Sequence, residues 1–295
     1  MKSSTLKLYD KEWSLFVSFC DVHGFNALPA NSTIIESFMF HHVNCRAMST
    51  LTHALSAISH FHAKHHHESP TLTRSVTCAL EGSKRFFGKP SVSVNIFTIE
   101  HLFLLSNLAF SSSCSLVFLR TIWRIFIDFF GLLRFNEVAN LTFQDLVWNP
   151  KGFDIFIHKL KTDQHGKGDY VSIIKNKNPT ICPVLLTLHY LKKMSIQSGY
   201  LLLSFKSKNK LNNMPLCYNT ALHDLRKCLT KVGIDPTGFG EHSGRRGGTT
   251  AVASAGALID ELMLQGRWKS QDMPRLYSDN ALKLRREFAN RLFNL

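Results

Sequence analysis

The sequence contains no C-x-x-C pair, and its seven cysteines, at positions 20, 45, 78, 114, 182, 217 and 228, are scattered and odd in number. A disulfide framework is excluded on that count, and a reducing, intracellular setting is expected. The opening segment, MKSSTLKLYDKEW, lacks the apolar stretch of a secretory leader, so none is expected. No run is apolar enough for a bilayer: the greasiest, Leu116 to Leu133, carries Arg120, Arg124 and Asp128. That run is expected to be a buried helix, and no membrane partner is expected. Internal repeats and low-complexity tracts are also missing. Acidic residues are scarce, 21 against 35 Lys+Arg, which leaves a formal net charge of +14.

What is present is apolar material, 44% of the chain, enough to exclude a disordered polybasic protein. A length of 295 residues fits one large domain or two ordinary ones. The basic excess is uneven, with eight Lys/Arg against six Asp/Glu up to Gly88 and 27 against 15 beyond it. A positive field of this kind favours a polyanion, with nucleic acid ahead of an acidic membrane or protein.

The first third reads as four short helices. Leu8, Trp13, Phe16, Val17 and Phe19/Cys20 recur at helical spacing until Gly24. Asn31-Ser32-Thr33, with Glu36 three residues after Thr33, predicts a capped second helix, and Ser49-Thr50 predicts the start of a third. A fourth follows Pro70, and Gly88-Lys-Pro90-Ser is the expected linker between a bundle at 1–88 and a second domain at 89–295. Within the bundle, His60, His62, His65, His66 and His67 crowd together without cysteine or carboxylate at ligand spacing, so a polar helix end is favoured over zinc. Beyond Ile99 the pattern is helical until two runs of period two, Phe153–Ile157 and Tyr170–Ile174, which read as strands joined by the turn-rich Asp163–Gly168. After Pro183 helix resumes, with a polar loop at Lys206–Lys210. The expected class is mainly α with a small antiparallel β-sheet.

Three local patterns occur in order: Gly131-Leu-Leu-Arg134-Phe-Asn-Glu137 with Asp145 beyond it, Glu241-His242-Ser-Gly-Arg245-Arg, and Gly266-Arg-Trp268 followed nine residues later by Tyr277. Together they resemble the tyrosine recombinase (phage integrase) superfamily, in which an Arg box, H-x-x-R, G-H/W and a tyrosine follow one another at this spacing. Lys161-Thr-Asp-Gln164 resembles the family's β-hairpin lysine segment, and the bundle at 1–88 resembles its core-binding, SAM-like DNA clamp. The wording of the C-terminal boxes looks closest to recombinases of eukaryotic mobile elements, the DIRS-like and crypton groups. The resemblance implies a recombinase of double-stranded DNA that acts through a 3′-phosphotyrosyl link and releases a 5′-hydroxyl. It also implies a tetramer on two duplexes, no cofactor, and a nuclear site of action if the host is eukaryotic. A type IB topoisomerase and a domesticated DNA-binding protein that no longer cuts are the alternative readings.

The residue types fit that chemistry. A phosphodiester under attack gains negative charge, and guanidinium groups at Arg134 and Arg245 stay charged and present planar forks of donors. Arg134 could otherwise be an ion-pair partner of Glu137 or Asp145. Glu137 reads as an anchor that aims an arginine, and Arg246 as a contact to a backbone phosphate or a carboxylate. Tyr277 is the candidate nucleophile, and His242 can accept or relay its proton. Trp268 stands where many family members carry a second histidine, and its indole N–H can donate but not accept. Lys161, with Lys159 as the other choice on the same strand face, is expected to protonate the departing 5′ oxygen. No metal ligands and no phosphate-cradling glycine loop accompany the set, and a covalent route conserves the phosphodiester's bond energy. Leu284, Phe288 and Leu292 predict a terminal amphipathic helix, packed on its own domain or docked on a neighbouring subunit.

Overall fold

The computed structural model describes residues 3–88, 94–158, 167–207 and 210–272. The chain divides into two compact units, residues 1–91 and 92–295.

The first unit is built from α1 (Ser3–His23), α2 (Ser32–His42), α3 (Met48–Lys64) and α4 (Arg74–Phe87), with one 3-10 turn at Pro70–Leu72. Gly24 ends α1 with φ +67, a left-handed conformation that suits a residue without Cβ. The caps differ from expectation at two places. Asn31, not Thr33, accepts the Ile34 N–H at 3.0 Å, which leaves Glu36 outside any capping box. Helix α3 starts at Met48 with Ala47 as an unassisted cap, so Ser49 and Thr50 are already inside it. Phe16, Phe19, Ile35, Phe38, Leu51, Ile58 and Val76 form the interior. Of the clustered histidines, His62 turns inward. Its Nδ1 donates to Ile58 O at 2.9 Å and its Nε2 accepts the Ala30 N–H at 2.9 Å, a pairing that requires the neutral ring. Burial lowers its pKa in the same sense. No group of three His, Cys, Asp or Glu suited to a metal occurs among the described residues.

The second unit is arranged around α6 (Leu116–Phe130), which follows α5 (Ile99–Ala109). Every residue from Leu119 to Phe129 is buried, and no helix among the described residues is long and apolar enough to cross a membrane. Burial of α6 requires partners for its charges, because an unpaired buried ion is costly. Arg120 donates to Leu203 O at 2.5 Å and to Asp224 Oδ2 at 2.5 Å. Trp123 donates from Nε1 to Thr187 Oγ1 at 3.1 Å and stacks on Tyr190, ring centroids 4.5 Å apart. Thr187 and Tyr190 belong to α8 (Pro183–Met194), and Asp224 to α9 (Tyr218–Lys231), so α6 pins both.

After the short α7 (Phe135–Ala139) come β1 (Leu146–Asn149), β2 (Gly152–Ile157) and β3 (Asp169–Ile174), an antiparallel sheet in that order. Leu146 lies opposite Ile155, and Phe153 opposite Ile173, so one face of the sheet feeds the core. The strands expected at 153–157 and 170–174 are both present, each one residue longer at its start. Strand β1 was not expected, nor was a second antiparallel pair, β4 (Leu203–Ser207) and β5 (Lys210–Pro215), which takes in Lys206, Ser207 and Lys210 of the expected polar loop. The unit continues through α10 (Ser243–Ser254) and α11 (Ile259–Gly266).

Candidate active site

The Arg134 backbone caps α7, and the Glu137 carboxylate three residues on closes that cap by accepting the Arg134 N–H at 2.9 Å. The other Glu137 oxygen accepts Arg134 Nη1 at 2.7 Å. Glu137 is buried, and Arg267 reaches it as well, Nη2 to Oε2 at 2.8 Å, while Arg245 Nη1 lies 4.0 Å away. One carboxylate thus gathers three guanidinium groups. Burial alone would raise its pKa, but Arg267, the Arg134 N–H and the Arg134 guanidinium outweigh it and hold the carboxyl below its ordinary range. Burial pulls the Arg267 pKa down, and Glu137 opposes that pull.

Main-chain oxygens complete the set. Arg245 donates through Nη1 to Leu132 O and through Nη2 to Gly266 O, the latter at 2.5 Å. Arg267 also donates to Leu132 O, at 3.1 Å. Leu132 (φ +48) and Arg267 (φ +54) are two of the four non-glycine residues with left-handed backbone among the described residues. Such conformations cost about 1–3 kcal/mol and concentrate at functional sites. The Arg245 guanidinium carbon stands over the Trp268 ring, 4.2 Å from its centroid, and Trp268 packs with Leu132 and Leu262.

The H-x-x-R box is seated by its glycines. A Cβ at Gly244 would meet the Asp128 side chain, one at Gly247 the Phe97 backbone, and one at Gly248 the Phe129 carbonyl. These three positions share one helical face, so α10 lies directly against the C-terminal half of α6 and delivers Arg245 to the floor of the site. His242 caps the same helix, exposed, three residues before Arg245. Arg246 donates to Val94 O at 3.1 Å. Asp145 serves a neighbouring structure: its Oδ2 accepts the Thr142 N–H and hydroxyl at 2.7 and 2.9 Å, and its Oδ1 meets His158 Nε2 at 2.5 Å.

Arg134, Glu137, Arg245 and Trp268 are therefore brought together, with His242 one turn from Arg245. Asp145 contacts none of them. Lys161, Lys159, Tyr277 and the expected helix through Leu284, Phe288 and Leu292 lie outside the described residues. Of the other tyrosines, Tyr190 is buried, donates to Leu201 O at 2.6 Å, and has its phenol pushed up in pKa by burial. Sequence reasoning passed over Arg267, although it stands inside the third box. It also passed over Arg124, Asp128 and Glu241, which form a buried cluster behind the site: Arg124 Nη1 is 3.0 Å from Asp128 Oδ2 and is bonded to Glu241 Oε2. The available signals were a charged i, i+4 pair inside the greasiest helix and a glutamate directly before His242.

No family model matches the chain. An integrase/recombinase XerD homolog from Selenomonas ruminantium is 27% identical over 297 residues, spanning 99% of this chain and 86% of its own. The Tn1549 transposon integrase in complex with transposon right end DNA superposes with a TM-score of 0.69 at 13% identity, covering 99% of this chain and 94% of that one. For a lambda integrase dimer bound to a COC′ core site the TM-score is 0.62 at 14% identity, with 95% and 73% covered. For XerH site-specific recombinase bound to palindromic difH substrate it is 0.61 at 15%, with 90% and 73% covered. The fold is the one these recombinases and integrases share. The chain is thus similar in sequence to a XerD-like integrase/recombinase and similar in fold to these DNA-bound recombinases and integrases.

Proposed function

We propose that this protein is a site-specific DNA recombinase that breaks and rejoins double-stranded DNA through a covalent link to Tyr277, serving the integration or excision of a mobile element. The observation that carries the reading is the single buried carboxylate of Glu137 gathering Arg134, Arg245 and Arg267. Three cations against one anion leave a fixed positive excess, and Arg134, with a fifth of its side chain exposed, is the edge an incoming phosphate meets. Cations preassembled in this way lose no reorganisation energy as charge develops on the phosphate oxygens.

In the reaction the Tyr277 oxygen bonds to phosphorus and the bond to the 5′ oxygen breaks. His242 takes the phenolic proton, and Lys161 gives one to the departing oxygen. Trp268 holds the Arg245 guanidinium and has an indole N–H to offer. Attack by the 5′-hydroxyl of a second duplex reverses the step on a new partner. Exchange between two duplexes needs several protomers, and a tetramer is the assembly we propose. A lambda integrase tetramer bound to a Holliday junction, 14% identical with a TM-score of 0.60, supports it.

The test is a nicked substrate that traps the covalent intermediate. The wild-type protein yields a protease-sensitive, 3′-linked adduct, and Tyr277→Phe retains DNA binding while losing it. An undiminished adduct in that variant refutes the assignment of Tyr277.

A further inference from the structure

Behind the arginine site lies a charge cluster that the reaction as described does not use. Arg124 and Asp128 stand one turn apart on α6, and Glu241 reaches them from the segment leading into α10. All three side chains are buried, with at most 2% exposed. Both carboxyls address the same nitrogen, Arg124 Nη1. Asp128 Oδ1, Glu241 Oε1 and Arg124 Nη2 have no hydrogen-bond partner among the described residues. The Arg124 guanidinium also lies 5.9 Å from the ring centroid of Phe135, the residue after Arg134. The cluster thus touches the starts of both arginine boxes: Phe135 follows Arg134, and Glu241 precedes His242.

Two carboxylates and one guanidinium would bury a net negative charge, and would leave two anionic oxygens facing no donor. Either condition is costly in a dry interior. A proton on one carboxyl removes both costs, because it cancels the excess charge and supplies a donor. We propose that Asp128 and Glu241 share one proton, Asp128 as the neutral acid and Glu241 as the anion on Arg124, and that this arrangement makes Glu241 a positioning residue for His242.

The surroundings agree. Arg124 and Glu241 face Asp128 most directly, with Glu137 from α7 and Arg245 from α10 beyond them. Burial raises the Asp128 pKa well above its ordinary value, and the two glutamates add to the rise that the two arginines oppose. Glu241 is raised as well, by burial against the pull of Arg124. From α9, Cys228 faces Arg124 with its thiol pushed up to about 12, so it adds no anion at neutral pH. The assignment of the proton to Asp128 follows from the closer bond of Glu241 to Arg124.

The consequence is an alkaline limit. When pH rises through the Asp128 value, a second anion appears beside Glu241, the pair repels, and the segment holding His242 loses its anchor. A carboxyl whose folded pKa is raised stabilises the fold at low pH and withdraws that contribution as pH rises. The kinetic arm of the test rests on the recombinase reading, and the spectroscopic arm does not. In single-turnover adduct formation, Asp128→Asn keeps the neutral-pH rate within about threefold and abolishes the alkaline fall seen in wild type. Glu241→Gln lowers the rate about 10–100-fold with unchanged DNA affinity, the size of an impaired proton transfer. Isotope-edited infrared spectroscopy of the full chain at neutral pH shows a protonated-carboxyl stretch in wild type that bleaches as pH rises and is missing from Asp128→Asn. A wild-type protein without that band, or an Asp128→Asn variant with normal melting but a 30-fold or larger loss at neutral pH, overturns the proposal. Should Asp128→Asn fail to fold, the wild-type band and its bleaching decide alone. Should no protein form an adduct, the recombinase reading fails while the infrared result still stands.

Discussion

Glu137→Gln isolates what the arginine cluster is worth. The substitution keeps shape and one acceptor oxygen but removes the anion that the three guanidinium groups share. The Arg267 contact is buried at both ends, 2% and 4% exposed, so its loss falls in the regime where stripping one partner costs about 3–5 kcal/mol. The Arg134 contact is a fifth exposed on the arginine side, and solvent screening reduces its share to about 1 kcal/mol or less. Retention of an amide oxygen as acceptor returns part of this, so a net loss of about 3–4 kcal/mol is expected. For a unit of this size each kcal/mol moves the melting temperature about 2–4 °C, which gives a drop of roughly 6–16 °C by calorimetry. Because the Glu137 pKa is lowered in the folded state, its contribution is present above the ordinary carboxylate range and is lost as pH falls through the folded value. The gap between wild type and variant therefore closes in acid. Adduct formation falls about 10²–10³-fold, since arginines no longer aimed at the phosphate act like arginines removed. A variant melting within 1 °C of wild type and cutting normally would show that the three contacts are incidental.

Gly248→Ala puts a methyl group on the Phe129 carbonyl, so α10 must shift away from α6, at about 1–3 kcal/mol and with reduced adduct formation. Gly82→Ala in α4, where an added Cβ meets nothing within 4 Å, is the opposite case and gains about 0.5–1 kcal/mol in chemical denaturation. Lys161→Ala slows cleavage of an ordinary substrate, and a substrate with sulfur at the departing 5′ position, whose thiolate leaves without a proton, recovers the rate. Rescue in Lys159→Ala instead transfers the acid role to that residue.

Helices and the central sheet were legible because burial repeats at a fixed period: α6 declares itself through eleven apolar residues among its fifteen, and β2 through Phe153, Ile155 and Ile157. The hairpin of β4 and β5 was not, because Leu203-Ser-Phe-Lys-Ser and Lys210-Leu-Asn-Asn-Met-Pro are short and rich in turn-forming residues, and their pairing is a contact between strands rather than a local preference. The boxes holding Arg134, His242, Arg245 and Trp268 could be read as words. Which carboxylate serves which arginine could not, since Glu137 lies 130 positions from Arg267 and Arg124 lies 117 from Glu241. Burial turns such residues from solvated charges into obligate partners, and burial belongs to the folded chain.

The main-chain oxygen of Leu132 receives Arg245 and Arg267 together, while the side chain of the same residue packs with Trp268 and Leu262. What this position contributes to the charge network is an atom that every amino acid possesses. Its constraint is therefore geometric: Leu132 and Leu133 can each give way to another apolar side chain of similar volume, yet a single residue inserted or deleted between Gly131 and Arg134 would turn the oxygen away from both guanidinium groups at once. The segment is tolerant in spelling and strict in length.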